Sequence, residues 1–145
     1  MKIINPRIID AVKPLNLPRG EYAVFGSALL EIYGIRDSGD IDFIVTKKLY
    51  DQLAATPDWT EFQYDNGDRA LRSSSSQFDV AFYECTWIPN GLEPDLLGFI
   101  SRAVQVDGVS FVSFEDTIAW KSALAREKDL HDIELIKNLL AKGES

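Results

Sequence analysis

Between positions 24 and 45 the chain reads Val-Phe-Gly-Ser-Ala-Leu-Leu-Glu-Ile-Tyr-Gly-Ile-Arg-Asp-Ser-Gly-Asp-Ile-Asp-Phe-Ile-Val, and this stretch constrains the fold more than any other. The apolar run over 21–25 has the composition of a buried strand and stops at Gly26-Ser27. An amphipathic helix over 27–34 follows, ended by Gly34, and a polar loop over 35–40 leads into a second apolar strand over 41–45. Strand side chains alternate faces, so Asp40 and Asp42 project together while Ile41 and Phe43 enter the opposite layer. Adjacent carboxylates repel, and burying them uncompensated is costly. A hard divalent cation with oxygen ligands, Mg²⁺ or Mn²⁺, is the economical solution.

The turn before the helix has matching chemistry. Gly26 lacks a Cβ and lets the backbone approach a phosphate. Ser27 offers a hydroxyl at a helix start, where free N–H groups and the positive dipole end attract anions. Read structurally, the same serine is an ordinary N-cap. The order of apolar strand, Gly-Ser, helix and Asp-x-Asp strand resembles the nucleotidyltransferase superfamily. That resemblance implies that Gly26 and Ser27 grip the triphosphate of a nucleoside triphosphate and that Asp40 and Asp42 bind the metal. Many members have Gly-Gly where this chain has Gly-Ser, and serine is a common alternative. The Walker A and Gly-x-Gly-x-x-Gly patterns are absent, which counts against P-loop and dinucleotide-binding readings.

Phosphoryl transfer with two metals needs a further carboxylate near the attacking hydroxyl. In a strand over 77–83, alternation puts Phe78, Val80 and Phe82 on one face and Asp79 beside Ala81 on the other. Asp is disfavoured mid-strand, although a solvated edge also accommodates it. The resemblance places a third metal-binding Asp on the neighbouring strand, which matches Asp79. The segment from Ser113 to Ile133 is similar to the tail of small bacterial nucleotidyltransferases, including abortive-infection type toxins. It implies that Lys121 contacts nucleotide phosphate, with Arg126 and Lys128 as supporting cations. Structural roles compete here. Ser113 with Asp116, and Asp129 with Asp132, have capping-box spacing, and Lys128 can pair with Asp132 at i,i+4. Asp129 reads as structural, and His131 as a surface or pocket-edge residue.

Elsewhere the pattern predicts helices over 5–14, 47–54 (capped by Thr46, with Tyr50, Leu53 and Ala54 inward), 94–104, 114–125 and 130–142. Strands are expected over 59–64, 69–72 and 77–83, with Asn66-Gly67 as a hairpin turn, and over 109–112 after Asp107-Gly108. The expected fold is α/β (α+β): a nucleotidyltransferase-like mixed sheet flanked by helices, with helices at the C-terminal end, in a single domain over 1–145. A formal net charge of −8 argues against broad nucleic-acid binding but not against a nucleotide bridged by metal. One cysteine, Cys85, permits no internal disulfide and fits a reducing cytoplasm, and no stretch has the apolar length of a membrane span. The resulting expectation is a Mg²⁺-dependent (or Mn²⁺-dependent) enzyme that moves a nucleoside monophosphate from a triphosphate to an acceptor hydroxyl on RNA, protein or a small molecule. A toxin–antitoxin role with an antitoxin partner belongs to the same resemblance. The alternative is an inactive nucleotide-binding or protein-interaction module of the same fold.

Overall fold

Strands β1 (Tyr22–Phe25) and β2 (Ile41–Val45) form where aromatic and β-branched residues recur, and they lie antiparallel with Phe25 opposite Asp42. This register sets the end of β1, and the Gly26-Ser27 turn after it, beside the carboxylate of β2. The computed structural model describes residues 1–86 and 94–143. Helix α1 (Arg7–Val12) precedes β1, and α2 (Ala28–Ile32) joins the two strands. Then come α3 (Lys47–Ala54), β3 (Trp59–Gln63), β4 (Arg69–Ser73) and β5 (Phe78–Phe82). They are followed by α4 (Leu96–Ser101), β6 (Val104–Val106), β7 (Val109–Phe111), α5 (Phe114–Leu124) and α6 (Glu127–Gly143). All the described strands join one mixed sheet in the order β3-β4-β5-β2-β1-β7-β6. β2 runs parallel to β5 and β1 parallel to β7, while the remaining neighbours are antiparallel. The expected α/β architecture is the observed one.

Alternation divides the core between the two faces. Tyr22, Val24, Ile41, Phe43 and Val45 pack with residues of α1, α2, α3 and α6. Ala23 and Ile44 pack on the other face with Leu96, Phe99 and Ile100 of α4. Phe43 is almost fully buried and meets the rings of Tyr22, Trp59 and Phe78. Thr46 caps α3, its Oγ1 accepting from the Leu49 N–H, and Ser113 caps α5 in the same way from Asp116. The Asn66-Gly67 hairpin joins β3 to β4 as expected.

Some local expectations fail for physical reasons. The helix expected over 94–104 stops at Ser101, and Val104–Val106 instead pairs with β7 through Asp107-Gly108. Both turn residues have φ > 0 (49° and 81°), as a two-residue primed turn requires. The helix expected over 27–34 is shorter, Ala28–Ile32, and Ala54 is exposed rather than inward. The last helix begins at Glu127, so Asp129 and Asp132 lie inside it instead of framing its start as a capping pair.

The face-sharing rule fails most usefully in β5. Ile41 of β2 lies opposite Phe78, yet Phe43 lies opposite Ala81, so β5 carries one extra residue at Asp79-Val80. Phe78 therefore joins the core beneath α1–α3 while Phe82 joins the α4 side, and they do not share the face that strict alternation predicts.

Phe43→Ala removes the ring at the centre of this packing. We expect a loss of about 3–5 kcal/mol in urea denaturation monitored by circular dichroism, with the slope of the transition unchanged.

Candidate active site

Asp42, on the α4 side of the sheet, is largely buried, and its Oδ1 is a buried polar atom with no hydrogen-bond partner. Burial pushes its pKa up to about 7, and the negative charges of Asp79 and, more weakly, Asp40 push the same way. A backbone N–H of Val80 bonded to the carboxylate opposes the rise. The bulge in β5 leaves both Asp79 and Val80 between the paired residues that flank Asp42, which keeps the Asp79 charge close to it. Asp40 lies exposed just before β2. Its loop is held from behind by Arg7, which pairs with the buried Glu31 at 2.8 Å and donates to the Gly39 carbonyl at 2.9 Å. Glu31 also accepts from the Ser38 N–H at 3.0 Å.

The three acids thus face one neighbourhood, but among the described residues no three His, Cys, Asp or Glu side chains are closed into a metal-ligand group. The donor set is nevertheless suited to a hard divalent cation: all oxygen, anionic, with one buried oxygen unsatisfied. Such a cation would be held by Asp40, Asp42 and Asp79, and it would also relieve their mutual repulsion.

Gly26 follows β1 directly, with φ +85° and no atom within 4 Å of where a Cβ would stand. Backbone geometry demands glycine here, and open space lies on the side a substrate could approach. Ser27 departs from its simple reading. Its side chain makes no cap hydrogen bond to α2. Instead its Oγ donates to Asp132 Oδ2 at 3.1 Å and accepts from Arg36 Nη2 at 2.8 Å.

Asp132 is the hub of this corner. Arg36 grips it with two donors, Nε at 2.7 Å and Nη2 at 2.6 Å, and the buried Lys121 Nζ sits 2.9 Å from Oδ2. Asp132 therefore pairs with Lys121 and Arg36, not with Lys128 as the i,i+4 spacing suggests. Although burial opposes ionisation, the bonds from Arg36 and Lys121 hold this carboxyl far below the usual range. Asp129, also buried, is likewise lowered, taking the Arg126 Nε at 2.6 Å and the Arg126 N–H at 3.2 Å. That backbone bond is the half of a capping box in which the third helical residue reaches back to the cap. Lys121 thus stands by the Gly-Ser turn through Asp132, whereas Arg126, paired with Asp129, lies with Lys128 and His131 along an open surface depression.

Sequence reasoning missed Arg36. Its position in the loop between Gly-Ser and Asp-x-Asp was visible, but its partner lies 96 residues away on α6. It also missed a cavity of about 530 Å³ beside Asp42, walled by Phe25, Val80 and Phe82 and rimmed by Tyr64, Asp65 and Glu84.

No protein-family model matches the chain, and neither does any curated protein sequence. Among solved structures it is similar to the aminoglycoside nucleotidyltransferase ANT(2")-Ia, determined in complex with adenylyl-2"-tobramycin. The superposition covers 94% of this chain and 87% of that one, with a TM-score of 0.50 and 16% identity. The chain has a nucleotidyltransferase-like fold. Among the described residues no helix is long and apolar enough to cross a membrane.

Asp42 and Asp132 give opposite pH signatures. The folded Asp132 carboxyl is depressed, so its contribution is complete above the ordinary carboxylate pKa of roughly 4 and declines as pH falls below it. The folded Asp42 holds a proton that the unfolded chain releases, so stability falls as pH rises from roughly 4 to about 7. In thermal melts in EDTA, Asp42→Asn should gain over wild type as pH rises from roughly 5 to 8. Asp132→Asn should lose about 3 kcal/mol near neutral pH, with Lys121 left under-paired, and less as the acid limit is approached.

Proposed function

We propose that the protein is a divalent-metal-dependent nucleotidyltransferase that transfers a nucleoside monophosphate from a nucleoside triphosphate to an acceptor hydroxyl. The observation that carries this reading is the buried, unpartnered Asp42 Oδ1, charged against by Asp79 and Asp40 and lying beside the open Gly26 turn. Unpaired acid in an interior is costly, and a site that binds cation and polyphosphate together gives that cost a use. Fold similarity to a nucleotidyltransferase supports the same reading.

In this mechanism Asp40, Asp42 and Asp79 would hold Mg²⁺ or Mn²⁺, which would supply charge neutralisation of the triphosphate. The backbone at Gly26 approaches the β- and γ-phosphates, with Ser27 and Lys121 completing the grip and Arg126 and Lys128 adding positive potential. The acceptor oxygen attacks the α-phosphorus, its proton passes to the Asp79 carboxylate, and the bond to the bridging oxygen breaks to release pyrophosphate. Positioning and charge stabilisation supply most of the rate. The tail resemblance extends the proposal to a toxin whose activity an antitoxin restrains.

A second reading, a nucleotide-binding or interaction module without turnover, draws on one observation: Ser27 and Lys121 are both already engaged by Asp132. Incubation with each α-labelled triphosphate, Mg²⁺ and cell extract separates the two, since only the enzyme yields a labelled acceptor.

Two variants test the division of labour. Asp42→Asn should abolish the Mg²⁺-induced rise in melting temperature, a term that mass action gives only to a protein with the site; an undiminished rise removes Asp42 from the metal. Asp79→Asn should lower label transfer by about 100-fold or more while triphosphate affinity changes little, because its contribution is made in the transition state. Wild-type transfer by this variant would assign Asp79 to the surface.

A further inference from the structure

We infer that Arg7, in α1 and outside the motifs of the site, is a positioning residue that fixes Asp40 for a small octahedral cation and thereby sets a preference for Mg²⁺ over Ca²⁺. The inference rests on the metal-holding role proposed for Asp40 and adds what gives that role its selectivity. Asp40 is exposed just before β2, so its carboxylate is placed by its backbone rather than by packing. The residue before it, Gly39, has φ +81° and nothing within 4 Å of where a Cβ would stand. Side-chain sterics therefore restrain the backbone least at the step that leads into a metal ligand.

Arg7 supplies the missing restraint. Its Nη2 donates to the Gly39 carbonyl at 2.9 Å. That carbonyl belongs to the planar peptide unit that carries the Asp40 N–H, so holding the oxygen sets the direction in which the chain enters Asp40. The same guanidinium donates to both oxygens of Glu31, from Nε at 2.8 Å and from Nη2 at 2.9 Å. Glu31 Oε1 in turn accepts from the Ser38 N–H at 3.0 Å. Ser38 and Gly39 are thus both tied, one through its donor and the other through its acceptor.

Neither end of this clamp is loose. Glu31 is buried in α2, and although burial opposes its ionisation, the bonds from Arg7 and Ser38 hold its carboxyl below the ordinary range. Arg7 is the first residue of α1, whose Ile8, Ile9 and Val12 are buried in the core. The chain ahead of it is bonded to the end of α2, the Ile4 and Asn5 N–H groups donating to the Ile32 carbonyl at 2.8 Å and 3.0 Å. The bond to Glu31 raises the Arg7 pKa against the effect of burial, and the charges of Glu31, Asp37 and Asp40 raise it further, so the guanidinium field also reaches the metal ligand. Mg²⁺ takes six ligands at about 2.0–2.1 Å in near-ideal octahedral geometry, whereas Ca²⁺ accepts about six to eight at 2.3–2.6 Å in varied arrangements. A displaced Asp40 therefore costs the smaller ion more.

The test follows metal binding by the whole chain, without nucleotide. Free Mn²⁺ is read from its electron paramagnetic resonance signal, with Mg²⁺ and Ca²⁺ as competitors. Arg7→Gln should weaken Mg²⁺ about tenfold and Ca²⁺ by less than about threefold, because residues that hold a ligand from behind contribute on this scale. Arg7→Lys replaces the planar fork by a point charge and should fall between it and wild type. If Arg7→Gln unfolds in the assay, Arg7→Lys carries the comparison, with a loss of about threefold for Mg²⁺ and a smaller one for Ca²⁺. Arg102→Gln is the control: Arg102, at the end of α4, grips Asp116 with the same pair of donors, Nε at 2.9 Å and Nη2 at 3.0 Å, and its loss should change neither constant. Unchanged Mg²⁺ affinity without the guanidinium, equal losses for Mg²⁺ and Ca²⁺, or a matching loss in Arg102→Gln each overturns the inference. The metal site survives that failure where Asp42→Asn still abolishes Mn²⁺ binding. A wild-type protein that binds no Mn²⁺ overturns the site itself and the inference with it.

Discussion

Burying a charge in this fold is accompanied by pairing it, with one exception. Glu31 is matched by Arg7, Asp132 by Arg36 and Lys121, and Asp129 by Arg126. Asp68 is satisfied by Thr86. Only Asp42, among the described residues, keeps a buried side-chain oxygen without a partner. The paired charges are what fix the surroundings of the unpaired one. Arg7 and Glu31 hold the loop carrying Asp40, and Asp132 holds the serine of the turn beside Asp42. Removing one partner from such pairs is expensive because the other is left desolvated. The geometry around Asp42 is therefore stiff where a loop alone would be loose.

The two opposite shifts, Asp42 upward and Asp132 downward, show how one neighbourhood separates two roles. Asp132 is ionised and spent: its charge is consumed in tying α5 and α6 to the turn. Asp42 is burdened by like charge and, among the described residues, keeps one buried oxygen without a partner. The same contrast distinguishes Lys121 from Lys128. Lys121 is a buried partner of Asp132, while Lys128 lies at an open depression of α6.

The strand, turn, strand order of residues 21–45 was legible because alternation and the glycine are local signals, and the β1–β2 register followed. The Thr46 and Ser113 caps were legible for the same reason. What was not legible is non-local. The bulge at Asp79-Val80 has no local signature, and strict alternation therefore groups Phe78 with Val80 and Phe82 on a face they do not share. The expected helix ran on to Val104, the first residue of β6, because a short apolar run reads either way until its partner is known. The structural alternative for Ser27 was a cap because the cap preference is local, whereas its partners in the fold come from α6 and the loop after α2. The acid cavity is invisible in sequence, since its walls come from β1, β5 and a hairpin loop.

The bond between Ser27 and Asp132 closes 105 residues of chain. Local pairings such as the β3–β4 hairpin can form as soon as their strands exist, but contacts of this separation must wait for loop closure. During synthesis the Gly-Ser turn therefore precedes α6 and stays without Asp132, though not without the nearby Arg36, until α6 has been made and docked. The shape of this corner is set by the arrival of α6, so a molecule interrupted before α6 carries Gly26 and Ser27 without the carboxylate that holds them.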